Sequence, residues 1–443
     1  MANPYLPSWE YIPDGEPRVF GDRVYVYGSH DRVDCERFCD YKLKVWSASV
    51  HDLSHWTCHG DIFRSKAKEG KTTDTPWTEH ELYAPDVVEK DGKYYLYAYI
   101  VDAKGCVAVS DRPEGPFMML SQYQYNIPDH YDNGTFIDPG VLVDDDGTGY
   151  LYFGGIGDTT DKPEDFIKNP KCGRVVKLAD DMVSLAGDPV TIDAPYMFED
   201  SGINKIGDKY YYSYCTNWTN FSGRDENVPT ANIAVMESDN PMTGFKFVGC
   251  VLKNPGTYFG ASGNNHHCFA EFKGTWYAFY HTKKDTLALG TKGDYRTTYA
   301  DVLNLGENGN FTNKDGSVAD TKMTAAGVTA VGTVNPYNTI EAESFAIANQ
   351  VGTIANSEAS SNALWNGANY SLYNTEVGSY IGVADVDFGD DGASMVSMKL
   401  SDTSMTEYKE CVAALNKKVT GKHTVYFVFE KTNVLTDSWK FNK

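Results

Sequence analysis

The sequence contains no run of about 18 consecutive apolar residues, the length that a transmembrane helix needs. Its N-terminus, MANPYLPSWEY, also lacks the basic segment, the apolar stretch and the small-residue cleavage site of a signal peptide. These absences predict a protein that does not span a membrane and, for the chain as printed, a cytoplasmic location. Removal of a signal peptide from a longer precursor would instead make the protein secreted.

Positive charge is scarce, because 39 Lys and Arg residues stand against 61 Asp and Glu residues and give a formal net charge of −22 at pH 7. Contacts from Lys and Arg to phosphate supply most of the non-specific affinity of proteins for nucleic acid. The charge balance therefore excludes nucleic acid and anionic membranes as expected partners. It leaves two alternatives open: solubility alone, or a preference for a neutral or cationic substrate.

The cysteines do not form a disulfide framework, since there are nine of them, an odd number, scattered along the chain. This pattern predicts free thiols in a reducing compartment. Sustained helical periodicity is also missing, which argues against a helical domain. At 443 residues the chain exceeds what one hydrophobic core usually organises, so two domains are expected.

One strand pattern is present in five copies. Each copy is a glycine turn followed by an alternating, aromatic-rich segment, and the five glycines are spaced 71, 55, 60 and 67 residues apart. That spacing accommodates four short strands with their turns, and five four-stranded units close naturally into a five-bladed β-propeller. The copies are residues 21–28, 92–98, 147–153, 207–214 and 274–280.

A polar residue precedes each of these glycines by six to nine positions, where the innermost strand of each blade begins. Innermost strands line the axis of a propeller, so the five side chains are expected to point into one small volume. Carboxylates packed together raise one another's pKa, which is costly unless a substrate, proton or cation uses it. These residues are Asp14, Asp86, Asp138, Glu199 and His266.

With these motifs the sequence resembles glycoside hydrolase family 43 from Asn3 to about Asn335. The resemblance implies hydrolysis of a glycosidic bond with inversion, without an organic cofactor. Asp14 would be the general base, Glu199 the general acid and Asp138 the carboxylate that tunes the pKa of the acid. The motifs that carry it are Pro13-Asp14, Tyr83-Ala-Pro-Asp86, Ile137-Asp138-Pro139, Phe198-Glu199 and Gly263-Asn-Asn-His266.

Two assignments stay open at this stage. Glu16 lies two residues beyond Asp14 and, by strand alternation, can face the same side, so it is an alternative base. His266 resembles the axial histidine of the family, which sits beside a calcium or other ion reached through waters or is simply hydrogen-bonded in the channel. His267 follows it directly and is the alternative axial residue.

The resemblance also implies a set of substrate contacts. Arg296 resembles the arginine that contacts the sugar in the deepest subsite. The further candidates for substrate binding are Asp31, Trp77, Tyr83 and Asp86.

The C-terminal part differs in composition, and we expect a propeller over residues 1–306, a linker over 307–338 and a small jelly-roll β-sandwich over 339–443. From Ile340 the chain resembles carbohydrate-binding module family 6, although it lacks a long hairpin between Ala393 and Gly421 and is interpreted as truncated. A structural or pocket-covering role is favoured over sugar binding. The resemblance implies a structural calcium held by Glu341, Glu343 and Asp437.

The sequence thus predicts an exo-acting hydrolase that removes terminal arabinofuranose or xylose from plant oligosaccharides or polysaccharides. Alternatives are a galactofuranose- or galactan-cleaving member of the same family and a sugar-binding propeller without activity. The sequence does not predict the oligomeric state.

Overall fold

The computed structural model of the chain describes residues 3–7, 10–32, 35, 37–67, 72–100, 105–119, 130–131, 134–157, 159–288, 290, 295–328, 332–355, 370–401 and 407–443. It is nearly all β. Three short helices lie in the described part of the chain: α1 (Glu164–Lys168), α2 (Gly256–Phe259) and α3 (Lys284–Ala288). None of them has the length and apolarity needed to span a membrane. All nine cysteines are free thiols.

The N-terminal part is built from five antiparallel sheets that follow one another along the chain. Blade one has β1 (Glu16–Phe20), β2 (Arg23–Gly28), β3 (Lys42–Ser49) and β4 (Asp52–Arg64). Blade two has β5 (Leu82–Lys90), β6 (Lys93–Ile100), β7 (Cys106–Ser110) and β8 (Met118–Met119), and the short pair β9 (His130–Tyr131) and β10 (Gly134–Thr135) follows. Blade three has β11 (Gly140–Val143), β12 (Gly149–Phe153), β13 (Gly173–Lys177) and β14 (Val190–Ile192). Blade four has β15 (Met197–Ile206), β16 (Lys209–Thr216), β17 (Ile233–Ser238) and β18 (Lys246–Leu252). Blade five has β19 (His267–Phe272), β20 (Thr275–Thr282) and β21 (Thr297–Val302).

The first strands of the five blades form a closed ring. Strand β1 contacts β5, β5 contacts β11, β11 contacts β15, β15 contacts β19, and β19 returns to β1. The N-terminal segment completes the closure, because the side-chain amide of Asn3 exchanges two hydrogen bonds with the backbone of Ala300 in β21, at 2.9 and 3.0 Å. The predicted five-bladed propeller is therefore confirmed, but blade five has three strands in the described part of the chain where four were predicted.

The five repeated glycines mark the tight turn between the first and second strand of each blade. All five adopt the left-handed conformation, with φ between 61° and 80°, which only glycine adopts at no steric cost. The aromatic strand after each turn is the second strand, and its tyrosines are largely buried between blades, for example Tyr97, Tyr152 and Tyr212. The turn and the alternation together explain why this pattern was visible in the sequence.

The C-terminal part is a sandwich of two antiparallel sheets, as predicted. The strands of this part are β22 (Ile340–Glu341), β23 (Ser344–Phe345), β24 (Ile347–Asn349), β25 (Val351–Ala355), β26 (Tyr370–Asn374), β27 (Tyr380–Asp387), β28 (Ala393–Ser401), β29 (Lys409–Val419), β30 (Lys422–Val428) and β31 (Leu435–Asn442). The larger sheet has the order β25-β26-β31-β28-β29, with β22 paired to β31, and the smaller has the order β24-β27-β30.

The sandwich and blade one share a hydrophobic core. Strand β23 adds to the outer edge of blade one, where Phe345 pairs with Trp56 of β4, and both side chains are buried. One apolar cluster extends from Trp46 in β3 to Trp439 in β31. The connecting segment also packs on the propeller, since Phe311 is fully buried against blades four and five.

Candidate active site

The residues that precede the inner strands meet at one mouth of the propeller channel, in a pocket of about 210 Å³. Six of its lining residues were predicted from the sequence: Asp14, Tyr83, Asp138, Glu199, His266 and Arg296. Four were not predicted to have a role: Phe38, Ile137, Phe198 and Asn264.

Asp14 lies two residues before β1 and is 4% exposed. Its Oδ1 accepts a hydrogen bond from Nη1 of Arg296 at 2.9 Å, and its Oδ2 accepts one from the hydroxyl of Ser29 at 2.7 Å. Burial alone would raise the pKa of Asp14, but the charges of the Arg296 guanidinium and of the nearby His266 ring bring it below its ordinary value. Asp14 is therefore an ionised carboxylate at neutral pH, as a general base must be.

Glu199 lies at a bulge near the start of β15, where the register with β16 shifts on both sides of it. Bulges of this kind re-aim side chains near active sites. Burial, followed by the charge of Asp138, raises the pKa of Glu199 well above its ordinary value. Its Oε1 accepts a hydrogen bond from Nδ2 of Asn264 at 3.0 Å. Glu199 thus has the protonation state of a general acid.

Asp138 is buried beside the acid and adopts the left-handed backbone conformation, with φ of 48°. Its Oδ2 accepts the backbone N–H of Asp200 at 3.0 Å. Burial raises the pKa of Asp138 to about 7, with Asp14 and Asp200 adding to the increase and His266 opposing it. Its charge in turn disfavours ionisation of Glu199, which is the direction that the predicted tuning role requires.

Arg296 is held from behind by Asp31. Nε and Nη2 of the guanidinium donate to the two oxygens of Asp31, each at 2.9 Å, and the backbone N–H of Arg296 donates to Asp31 at 2.9 Å. Nη1 remains directed to Asp14 and to Oδ1 of Asn264, at 2.7 Å from the latter, and the guanidinium lies 4.6 Å from the centre of the Phe38 ring. Asp31 therefore fixes the arginine and does not line the pocket.

His266 occupies the axis directly beneath the pocket. Its Nδ1 lies 3.8 Å from Asp14 and 3.7 Å from Asp138, and its Nε2 lies 3.5 Å from Glu16 and 3.2 Å from Asp200. Burial would lower the pKa of His266, but Asp200 and the other surrounding carboxylates raise it well above the ordinary value. The surrounding carboxylates therefore favour the imidazolium form of His266. An ion beside this histidine, reached through waters, stays a prediction.

The geometry also bears on the two assignments that the sequence left open. Glu16 lies on the side of His266 away from the pocket, next to Arg18, whereas Asp14 lines the pocket. His267 is turned away and contacts Asp200 through Nδ1, at 2.6 Å. Asp14 and His266 are accordingly the residues that face the site.

Besides Asp31, two further residues predicted to contact substrate lie outside the pocket. Asp86 is fully buried below the pocket, where Arg18 binds both of its oxygens and the backbone N–H of Val141 donates to it at 2.6 Å. A bulge between Tyr83 and Asp86 in β5 explains the misplacement, because the register shift sends Tyr83 to the pocket and Asp86 inward. Trp77 packs against the hydrophobic core of blade two and does not line the pocket.

The carboxylates predicted to hold calcium lie near one another in the sandwich. Burial raises the pKa of Glu343 well above its ordinary value, with contributions from Glu341 and Asp437, and Oε2 of Glu343 is buried without a hydrogen bond. However, the Lys399 ammonium lies 3.1 Å from Asp437 and already supplies a positive charge. In the described part of the chain no three Asp, Glu, His or Cys side chains form a metal-binding group. Calcium binding by these three carboxylates therefore stays a prediction.

Comparison with known proteins agrees with the glycosidase-like arrangement of carboxylates in the pocket. A family model described as glycosyl hydrolases family 43 matches residues 12–311. An arabinoxylan arabinofuranohydrolase of Paenibacillus polymyxa is 34% identical over 96% of this chain and 72% of its own length. A β-xylosidase of Xylanibacter ruminicola is 32% identical over 63% of this chain and 90% of its own length. A crystal structure of a family 43 arabinoxylan arabinofuranohydrolase from Bacillus subtilis, in complex with cellotetraose, superposes with a TM-score of 0.87 at 31% identity, covering 100% of this chain and 97% of that one. The chain therefore belongs to glycoside hydrolase family 43 and is a glycoside hydrolase.

Proposed function

We propose that this glycoside hydrolase is an exo-acting, inverting enzyme that removes terminal arabinofuranose from arabinoxylan fragments and accepts terminal xylose as a second substrate. The observation that carries the proposal is the small pocket of about 210 Å³, in which an ionised Asp14 and a protonated Glu199 face one enclosed space. A pocket of this size holds one terminal sugar and excludes the interior of a polysaccharide chain.

In the proposed reaction, Asp14 removes a proton from a water that attacks the anomeric carbon. Glu199 donates its proton to the leaving oxygen on the opposite side of the sugar, and the bond breaks through an oxocarbenium-like transition state. The product carries the inverted configuration. Water then returns a proton to Glu199 and removes one from Asp14, which restores the starting state.

Arabinofuranose is placed first because similarity to the two arabinoxylan arabinofuranohydrolases extends through the C-terminal sandwich. We propose that the sandwich has a structural role in this enzyme, since it completes the core of blade one. Its binding of sugar, and of calcium, are separate proposals that need their own tests. A propeller that only binds sugar is disfavoured, because binding alone does not require two carboxylates with opposite pKa shifts.

The proposal is tested by release of 4-nitrophenol from the α-L-arabinofuranoside, the β-D-xyloside and the β-D-galactofuranoside. We expect the arabinofuranoside to be hydrolysed fastest, and proton NMR of the first product to show the inverted anomer. The Asp14→Asn and Glu199→Gln variants serve as controls for contaminating activity. If the galactofuranoside is hydrolysed fastest, galactofuranose takes the place of arabinofuranose as the proposed substrate. If none of the three glycosides is hydrolysed, the proposed function is wrong.

A further inference from the structure

Asn264 lies between the base side and the acid side of the pocket. Its Oδ1 accepts a hydrogen bond from Nη1 of Arg296 at 2.7 Å, and its Nδ2 donates to Oε1 of Glu199 at 3.0 Å. The same Nη1 donates to Asp14 at 2.9 Å. A continuous path of three hydrogen bonds therefore joins Asp14 to Glu199 through Arg296 and Asn264.

The direction of the amide is fixed by its neighbours. A guanidinium has only donors, so the oxygen of the Asn264 amide must face Arg296. The amide nitrogen, which also has only donors, must then face Glu199, and Oε1 of Glu199 must accept. In a protonated carboxyl group the carbonyl oxygen is the stronger acceptor, so a hydrogen bond donated to Oε1 favours the tautomer with the proton on Oε2.

The backbone of Asn264 is also fixed. Its carbonyl oxygen accepts a hydrogen bond from Nε2 of His281 at 2.9 Å, and Nδ1 of the same ring accepts the backbone N–H of Asp14 at 3.3 Å. Burial lowers the pKa of His281, so the ring is neutral and has one donor and one acceptor, as these two contacts require. Asn264 is thus held from both its backbone and its side chain.

We propose that Asn264 is a positioning residue that reserves Oε1 of Glu199 as an acceptor and thereby places the catalytic proton on Oε2, facing the leaving oxygen. This role rests on the proposed function of Glu199 as general acid. As the proton on Oε2 passes to the leaving oxygen and the glycosidic bond breaks, negative charge develops on Glu199. The hydrogen bond from Asn264 becomes charge-assisted and strengthens in the transition state.

If Asn264 positions the proton of Glu199, the loss of kcat/KM that follows its substitution should depend on the leaving group of the substrate. A poor leaving group, such as the sugar of an arabinoxylan oligosaccharide, needs the proton, whereas 2,4-dinitrophenolate departs with little help. We expect Asn264→Ala to lower kcat/KM about 10²-fold on the oligosaccharide, the order of loss that follows misplacement of a catalytic group. On 2,4-dinitrophenyl α-L-arabinofuranoside we expect a loss of less than about fivefold, because general acid assistance contributes little there.

Asn264→Asp distinguishes the two hydrogen bonds of Asn264, the one that supports Arg296 and the one that positions Glu199. The new carboxylate still accepts from Arg296 but, when ionised, cannot donate to Glu199. We therefore expect Asn264→Asp to show the same dependence on the leaving group as Asn264→Ala. Both variants also lose a donor that favours ionised Glu199, so the alkaline limb of kcat/KM should move to higher pH.

Asn265→Ala is the matched control, because the amide of Asn265 donates to the carbonyl of Ala231 at 2.9 Å and does not line the pocket. It should keep the leaving-group dependence and the pH profile of the parent, and thermal unfolding checks that each variant is folded. Equal losses on the two substrates with an unmoved alkaline limb would overturn the role of Asn264. Inactivity of the parent on every substrate would instead overturn the proposed function.

Discussion

Asp14 and Glu199 share one pocket, yet their pKa values move in opposite directions. Burial acts on both carboxyl groups, but Asp14 has the Arg296 guanidinium at 2.9 Å, whereas Glu199 has an amide and the nearby charge of Asp138. One carboxyl is therefore ionised and the other protonated over the same range of pH. This is the division that inverting hydrolysis requires of its base and acid.

The pH profile follows from these two shifts. Glu199 must be protonated, and its pKa is raised, so kcat/KM should fall on the alkaline side as the acid loses its proton. Asp14 must be ionised, and its pKa is lowered, so the acidic limb should lie below the ordinary range for aspartate. In Glu199→Gln, measured on 2,4-dinitrophenyl α-L-arabinofuranoside, the alkaline limb should disappear. An unchanged alkaline limb in that variant would assign the titration to another group.

The assignment of Asp14 as the general base is tested by comparing substitutions of Asp14 and of its neighbour Glu16. Asp14→Asn removes the proton acceptor and should lower kcat about 10²- to 10⁴-fold, the usual contribution of general acid–base catalysis. Glu16→Gln should have a much smaller effect, because Glu16 faces the lower side of His266 and not the pocket. Steady-state kinetics on the aryl arabinofuranoside compares the two. A larger loss of kcat in Glu16→Gln than in Asp14→Asn would identify Glu16, and not Asp14, as the base.

Asp31 is expected to act on both stability and activity through Arg296. Removal of one partner from a buried ion pair costs about 3–5 kcal/mol, so Asp31→Asn should lower the free energy of unfolding by that order. It should also lower kcat/KM, since Arg296 is no longer fixed against Asp14. Asp145→Asn is the control: Asp145 pairs with Lys205 at 2.8 Å on the surface, where such pairs contribute about 0–1 kcal/mol. Urea denaturation that gives equal losses for the two variants would contradict this account.

The sequence predicted the residues that begin the inner strands well, because the glycine turn fixes the distance to the axis in each blade. It failed for Asp86, since the bulge in β5 is not visible in a pattern of alternation and Arg18 comes from a different blade. Phe38 was missed because it lies in the long loop between β2 and β3, whose conformation the repeat does not determine. Asn264 lies within the motif Gly263-Asn-Asn-His266, but its contacts depend on Glu199 and Arg296, which are distant from it in the chain.

Calcium binding by the sandwich is tested through Lys399. Its ammonium lies 3.1 Å from Asp437, which is one of the two carboxylates whose charges raise the pKa of Glu343. Lys399→Gln removes the ammonium and should make the thermal unfolding temperature rise with added calcium. The parent protein should show little change with calcium or with a chelator. A strong effect of the chelator on the parent would instead support a resident calcium ion.

The shared core predicts that the propeller and the sandwich unfold together. Phe345 belongs to the sandwich segment but is buried against Trp56 of blade one, and His55 of the same strand accepts the backbone N–H of Ala384 at 3.0 Å. Phe345→Ala should therefore destabilise the whole molecule, by about 3–5 kcal/mol for a buried phenylalanine. Tyr426→Ala is the control, because that ring is 53% exposed on the smaller sheet.

The measurement is denaturant unfolding followed in parallel by tryptophan fluorescence and by loss of hydrolytic activity. Activity reports on the propeller alone, whereas fluorescence reports on both parts, because Trp46 and Trp56 lie in the propeller and Trp439 lies in the sandwich. A sandwich that unfolded by itself would therefore change the fluorescence before activity is lost, and one coincident transition requires that the two parts lose structure together. Phe345→Ala should move both probes to lower denaturant by the same amount. Two separate transitions, with only the fluorescence affected by the substitution, would show instead that the sandwich folds as an independent module and that the contact with blade one is not needed for the active propeller.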